Sequence, residues 1–202
     1  MARTRSPNYD AIQGMILDRS AQLFATKGYA ATSINDIAEA CACSKSRLYH
    51  YFGAKEDILS AMLLDHVGRL AERYQTIIAE NEDETARLHA LIRYSLSVYT
   101  SSRDKHVVLL TCMDFLADDA HDLVVSKERE MVRALQQIFA GLRPDQHRET
   151  DASRMDAMLF FGMINWTYSW FDPNGTMDYE DLANRAVSIF LDGYRNFSIQ
   201  LR

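Results

Sequence analysis

The 202-residue chain has only three prolines, eight glycines and three cysteines, and each scarcity excludes something. So little proline and glycine leaves few sites for the tight turns that a hairpin-rich β architecture consumes. Cys41, Cys43 and Cys112 are an odd number in a chain with no export signal, which argues against a disulfide framework. No apolar run reaches the ~20 residues that a membrane span requires. The most apolar window, Met155 to Phe171, is shorter and is interrupted by Asp156 and Asn165. The expectation is a soluble, cytoplasmic protein with no membrane partner. Nucleophile elbows, Gly-rich phosphate loops and metal-spaced histidine pairs are also missing, so no catalytic residue, metal or cofactor is expected and the chain does not read as an enzyme.

Negative charge is in excess, with a net of −6, but it is unevenly spread. Residues 1–55 carry seven Lys and Arg against four Asp and Glu, a net of +3, and the remainder carries fifteen against twenty-four, a net of −9. A basic end on an acidic body confines attraction for a polyanion to that end.

What the chain has in abundance is helical periodicity. A first helix is expected from about Tyr9 to Lys27, with Gly28 where a C-terminal cap belongs. Ser33 with Asp36 three residues on has the form of a capping box and starts a second, short helix. A third begins at Ser44, and after Gly53 a long helix covers Lys55 to about Ile78. Further helices are expected at about 84–101, 105–116, 120–142, 151–171 and 179–197, with breaks at Asn81 to Asp83, Arg143-Pro144-Asp145 and Asp172-Pro173-Asn174-Gly175. The fold class expected is all-α: an N-terminal three-helix helix-turn-helix head over residues 1–55 on a larger helical body over 56–202.

Two helices of seven or eight residues are too short to stand alone and must be held by neighbours. Ile34, Ile37, Ala38 and Leu48 can anchor the pair and leave Lys45, Ser46, Arg47 and Tyr49 facing outward. That is the arrangement of a recognition helix entering the DNA major groove by its N-terminal end. The ordered series TSINDIAEACACSKSRLYHYFGAKEDIL, preceded by LFATKGYAATS, resembles the N-terminal signature of the TetR family of transcriptional regulators over roughly residues 12–64. The resemblance implies that Lys45, Ser46 and Arg47 read base edges, with Ser44 at the start of the same helix, that Asn35 lies beside the groove, and that Tyr49, Tyr51 and Lys55 contact the DNA backbone. Arg and Lys are the usual readers of guanine edges, and Tyr and Lys can bond phosphate. Arg3 and Arg5 could reach the minor groove as basic arms do. Where the family commonly has Gly in the turn, this chain has Ala42; a left-handed conformation there would cost about 1–2 kcal/mol.

In the body, the segment from Met155 to Phe171 is apolar on nearly all its faces and must be covered on more than one side. One face is expected inward and the other against a second subunit, with Phe160, Ile164 and Tyr168, together with Ile189 and Phe190 of the last helix, at a homodimer interface. Similar TetR proteins pair their last two long helices in this way. Polar groups set among aromatics point to a pocket for a small effector lined by Tyr99, Cys112, Met113, Phe161, Asn165 and Trp166. The stretch GMINWTYSWFDPNGTMDYEDLANRAVSIFLDGY more loosely resembles TetR-like repressors of catabolic operons that sense acyl-CoA thioesters, including phenylacetate regulators, and implies an acyl-CoA or aryl-CoA effector. The function expected is a dimeric, ligand-responsive repressor on a palindromic double-stranded operator. Two alternatives are a redox- or metal-sensing regulator using Cys41 and Cys43, and a helical scaffold or enzyme that binds no DNA.

Overall fold

The computed structural model describes residues 7–142, 150–172 and 174–196; Arg3 and Arg5 lie outside the described residues. Among those described there are nine α-helices, two short 3-10 turns and no strand, and none of the helices is long and apolar enough to cross a membrane. The helices are α1 (Pro7–Lys27), α2 (Ile34–Ala40), α3 (Lys45–Tyr51), α4 (Lys55–Glu80), α5 (Glu84–Ser101), α6 (Arg103–Thr111), α7 (Asp118–Leu142), α8 (Thr150–Asn165) and α9 (Tyr179–Asn196). The 3-10 turns, Met113–Phe115 and Trp166–Ser169, follow α6 and α8.

The expected helix over 105–116 begins at Arg103 and ends at Thr111, and the expected helix over 151–171 ends at Asn165. At the second site hydroxyls compete for the backbone: Thr167 Oγ1 donates to the Ile164 carbonyl at 2.7 Å and Ser169 Oγ to the Trp166 carbonyl at 2.8 Å. Such local bonds draw the chain out of the α-helical pattern and into the tighter turn.

The chain forms two compact units. The first comprises residues up to Gly68 together with Asp104–Val125, and the second comprises Arg69–Arg103 with the residues from Ser126 onward. In the first unit Ile16, Ala21 and Phe24 of α1, Ile37 and Ala38 of α2, and Leu48 of α3 are buried, as are Ile58, Leu59, Met62, Leu63 and Val67 of α4 and Val108 and Leu109 of α6. His66 and His106 are buried here with their rings 5.9 Å apart. Burial, and then the neighbouring His66, lower the His106 pKa to about 3, so the imidazole is neutral.

In the second unit Tyr74 of α4, Leu88, Leu91, Ile92 and Leu96 of α5, Leu135, Ile138 and Phe139 of α7, Ala157, Phe160 and Ile164 of α8, and Ala183, Val187 and Leu191 of α9 form the core. Helix α5 begins on a capped turn, where the Asp83 carboxylate accepts from the Ala86 N–H at 2.9 Å. An Arg93–Glu180 ion pair ties it to α9.

Candidate nucleic-acid interface and effector site

Helix α2 starts on the expected capping box. Ser33 Oγ accepts from the Asp36 N–H at 3.2 Å, and the Asp36 carboxylate accepts from the Ser33 N–H at 2.7 Å. A bond from Lys27 at 2.8 Å and those from Ser33 hold the Asp36 carboxyl well below the usual carboxylate range. Helix α2 ends with Ala42 at φ +49°, in the left-handed region. The Cys43 N–H bonds the Ala38 carbonyl and the Ala42 N–H the Glu39 carbonyl, both at 2.9 Å. This pair of bonds is the Schellman ending, usually built on glycine, so alanine keeps the turn and carries its strain.

Helix α3 then begins on Ser44, whose hydroxyl accepts from the Arg47 N–H at 3.2 Å. Ser44 is therefore the capping residue of α3 as well as an exposed one. Leu48 alone among the residues of α3 is buried, while Lys45, Ser46, Arg47 and Tyr49 are exposed beside it and Asn35 is exposed on α2. The residues expected to meet DNA on these two helices, Asn35, Lys45, Ser46, Arg47 and Tyr49, are thus exposed, on helices whose starts are fixed by side-chain caps. Tyr51 is half-buried, with its ring 4.6 Å from that of Tyr9.

Lys55 also bonds within the head. Its ammonium donates to the carbonyls of Tyr29 and Thr32 at 2.9 and 2.8 Å and lies 4.1 Å from the Tyr29 ring centre. Two of its three N–H donors are thus spent inside the head, and the side chain clamps the first turn of α4 to the loop between α1 and α2. To the phosphate contact expected from sequence the structure adds this role in holding the head together. Tyr29, which the sequence reading passed over, is the centre of this clamp: its hydroxyl donates to the Glu56 carboxylate at 3.1 Å, and its ring lies 5.0 Å from Phe24 and 4.8 Å from Phe115.

The expected effector set divides. Tyr99 and Asn165, 66 residues apart, meet in a 2.6 Å hydrogen bond from the tyrosine hydroxyl to Asn165 Oδ1. Phe161 stacks on Tyr74 with ring centres 6.4 Å apart. Trp166, 63% exposed, stands at the surface, and Cys112, which is buried, and Met113 belong to the first unit instead.

The expected dimer set needs a clearer correction. Phe160 and Ile164 are 0% and 1% exposed within the single chain, the phenylalanine ring lying near those of Phe139 and Phe190, and a side chain already enclosed offers no surface to a partner. The exposed large apolar residues of α8 are Met155, Met158, Leu159 and Met163, followed by Trp166. Their three- and four-residue spacing places them on one stripe. Ile189 of α9 is exposed as expected, while Phe190 and Tyr168 are half-buried.

A capped, outward-facing seven-residue helix on a helical body defines a helix-turn-helix DNA-binding regulator. Two family models match the chain: "Bacterial regulatory proteins, tetR family" over residues 16–62 and "Tetracyclin repressor-like, C-terminal domain" over residues 81–194. The chain belongs to the TetR family. A TetR-family regulator of known structure from Bordetella parapertussis is 44% identical, with a TM-score of 0.87 and coverage of 93% of this chain and 98% of that one. The HTH-type transcriptional repressor KstR2 of Rhodococcus jostii is 28% identical over 184 residues, 88% of each chain. AibR, solved in complex with isovaleryl coenzyme A and operator DNA, is 25% identical with a TM-score of 0.77, covering 88% of this chain and 97% of that one.

Proposed function

We propose that the chain is a repressor that binds a palindromic operator as a homodimer and releases it on binding a small, largely apolar effector, an acyl- or aryl-CoA thioester. The observation that carries this reading is the exposure of Asn35, Lys45, Ser46, Arg47 and Tyr49 on two short capped helices. In this reading residues 1–55 read the DNA, with Arg3 and Arg5 in the minor groove, and 56–202 bind effector and partner.

One seven-residue helix makes few base contacts; two of them about 34–36 Å apart read successive major grooves. The stripe of Met155, Met158, Leu159, Met163 and Trp166 supports the second copy, because apolar side chains grouped on one helix face mark an interaction surface. The effector class is supported by the resemblance of the C-terminal part to thioester-sensing repressors and by the isovaleryl coenzyme A bound to AibR. The thiol-sensor alternative draws little support: Cys41 is buried and burial pushes its thiol pKa up, which disfavours the reactive thiolate. Among the described residues no group of three or more His, Cys, Asp or Glu could hold a metal ion.

The test is a fluorescence-anisotropy titration of the chain onto the DNA upstream of its own gene, at two salt concentrations, with and without acyl-CoA thioesters. Tight, salt-sensitive binding that a thioester releases is expected. Specific binding that no thioester moves refutes the effector class, and binding no better than to random DNA refutes the operator assignment. Arg47→Ala is expected to relax sequence preference, at about 1–3 kcal/mol for a lost base contact.

A further inference from the structure

Polar side chains inside an apolar helical core cost stability unless they are paired, so a group of them needs a reason. In the second unit Tyr74 of α4, Ser95 and Tyr99 of α5, and Asn165 of α8 converge. The Tyr74 and Ser95 hydroxyls are 2.7 Å apart, and Tyr99 donates to Asn165. Tyr74, Ser95 and Tyr99 are buried, and phenylalanine at 74 or 99 would fill nearly the same volume with no polar group to satisfy.

Beside Tyr99 lies a cavity of about 20 Å³, walled also by Arg103, Thr167, Tyr168 and Phe171. That is room for about one water. Tyr168 belongs to the 3-10 turn Trp166–Ser169 that follows α8. Besides its own local bonds, the turn is tied to neighbouring segments by the Tyr99 bond to Asn165 just before it and by the exposed Arg103, whose Nε and Nη2 donate to the Tyr168 carbonyl at 3.3 and 3.1 Å. Hydrogen bonds can exchange partners where packed hydrocarbon cannot.

We propose that this cavity is the carbonyl subsite of the effector: the thioester carbonyl oxygen replaces Asn165 on the Tyr99 hydroxyl, the acyl chain enters against Phe171, and the turn Trp166–Ser169 moves outward. The proposal rests on the acyl-thioester reading given above. A neutral carbonyl suits the site better than a carboxylate. Burial, and then the neighbouring Tyr74, keep the Tyr99 hydroxyl protonated well beyond its ordinary range, so it stays a donor in a site where a charged ligand group would be poorly solvated.

Both tryptophans of the chain, Trp166 and Trp170, sit in or next to the moving turn, so their emission reports on it. The full chain is titrated with acetyl-, isovaleryl- and phenylacetyl-CoA, and with the thioether of the best binder, in which a methylene replaces the carbonyl. Binding is followed by calorimetry and by tryptophan emission. The wild-type chain is expected to bind the thioester at least about tenfold more tightly than the thioether, because a carbonyl oxygen accepts from the Tyr99 hydroxyl and a methylene cannot. Emission should saturate with binding, and Tyr99→Phe should bind both compounds alike. The thioester-to-thioether ratio is read on the wild-type chain and so stands whether or not the variant folds. Equal affinity for the two compounds, or calorimetric binding without a change in emission, overturns the carbonyl subsite and leaves the acyl-CoA effector standing. Binding of none of the three thioesters overturns both.

Discussion

Replacing Ala42 by glycine should stabilise the DNA-binding head. Ala42 has φ +49° and an exposed methyl, so removal of its Cβ forfeits almost no buried area and relieves left-handed strain of about 1–2 kcal/mol. Against this, glycine is freer in the unfolded chain, which costs about 0.4–1 kcal/mol. The balance is a gain of about 0.5–1 kcal/mol, and for a chain of this size ~1 kcal/mol raises Tm by about 2–4 °C. Calorimetry gives the Tm, and hydrogen exchange at the residue 42 and 43 amides, which close the turn, reports on the local change. Ala42→Val supplies the opposite perturbation, since a branched side chain tolerates this region worse. If glycine left the Tm unchanged or lowered it while valine was tolerated, the account of the turn as strained would be wrong.

Three further expectations follow from other parts of the molecule. His106, neutral in the fold with a pKa of about 3, binds a proton in the unfolded chain near pH 6.5. Its contribution is therefore fully present above about pH 6.5 and is lost as pH falls toward 3, amounting to about 2 kcal/mol by pH 5; urea titrations of the wild type and His106→Gln should show a flatter pH profile in the variant. Lys55→Met keeps an apolar stem over Tyr29 but strands the two carbonyls, so it should lower stability by about 1–3 kcal/mol, with operator affinity measured above the salt at which phosphate contacts dominate falling only as far as folding does. Leu159→Glu places a charge in the exposed stripe of α8, and sedimentation should show it shifting the chain toward monomer with its helical content intact.

Much of this was legible from the sequence where the signal is local. The capping box at Ser33 and Asp36, the glycine end of α1, with Gly28 at φ +88°, and the left-handed residue at 42 each depend on a few neighbouring residues. Bonds between distant residues were not. The hydrogen bond from Tyr99 to Asn165 spans 66 positions, and the Lys55 clamp uses backbone carbonyls that every residue possesses, so no residue type marks it. The inward side of α8 was misjudged for another reason. A helix apolar on nearly all faces carries no polar side to fix its rotation, so Phe160 and Leu159, adjacent and alike in the sequence, could not be told apart; the fold turns one wholly in and leaves the other 70% exposed.

Helix α3 is anchored by the buried Leu48 and by Tyr51, whose ring packs on that of Tyr9. Its other five positions are exposed and carry little obligation to the fold, and substitutions there can accumulate without threatening the scaffold. Natural variation can rewrite the address that the helix recognises while the rest of the chain stays as it is. One architecture can in this way be redeployed to new promoters, each change being tested by selection on gene control rather than on folding.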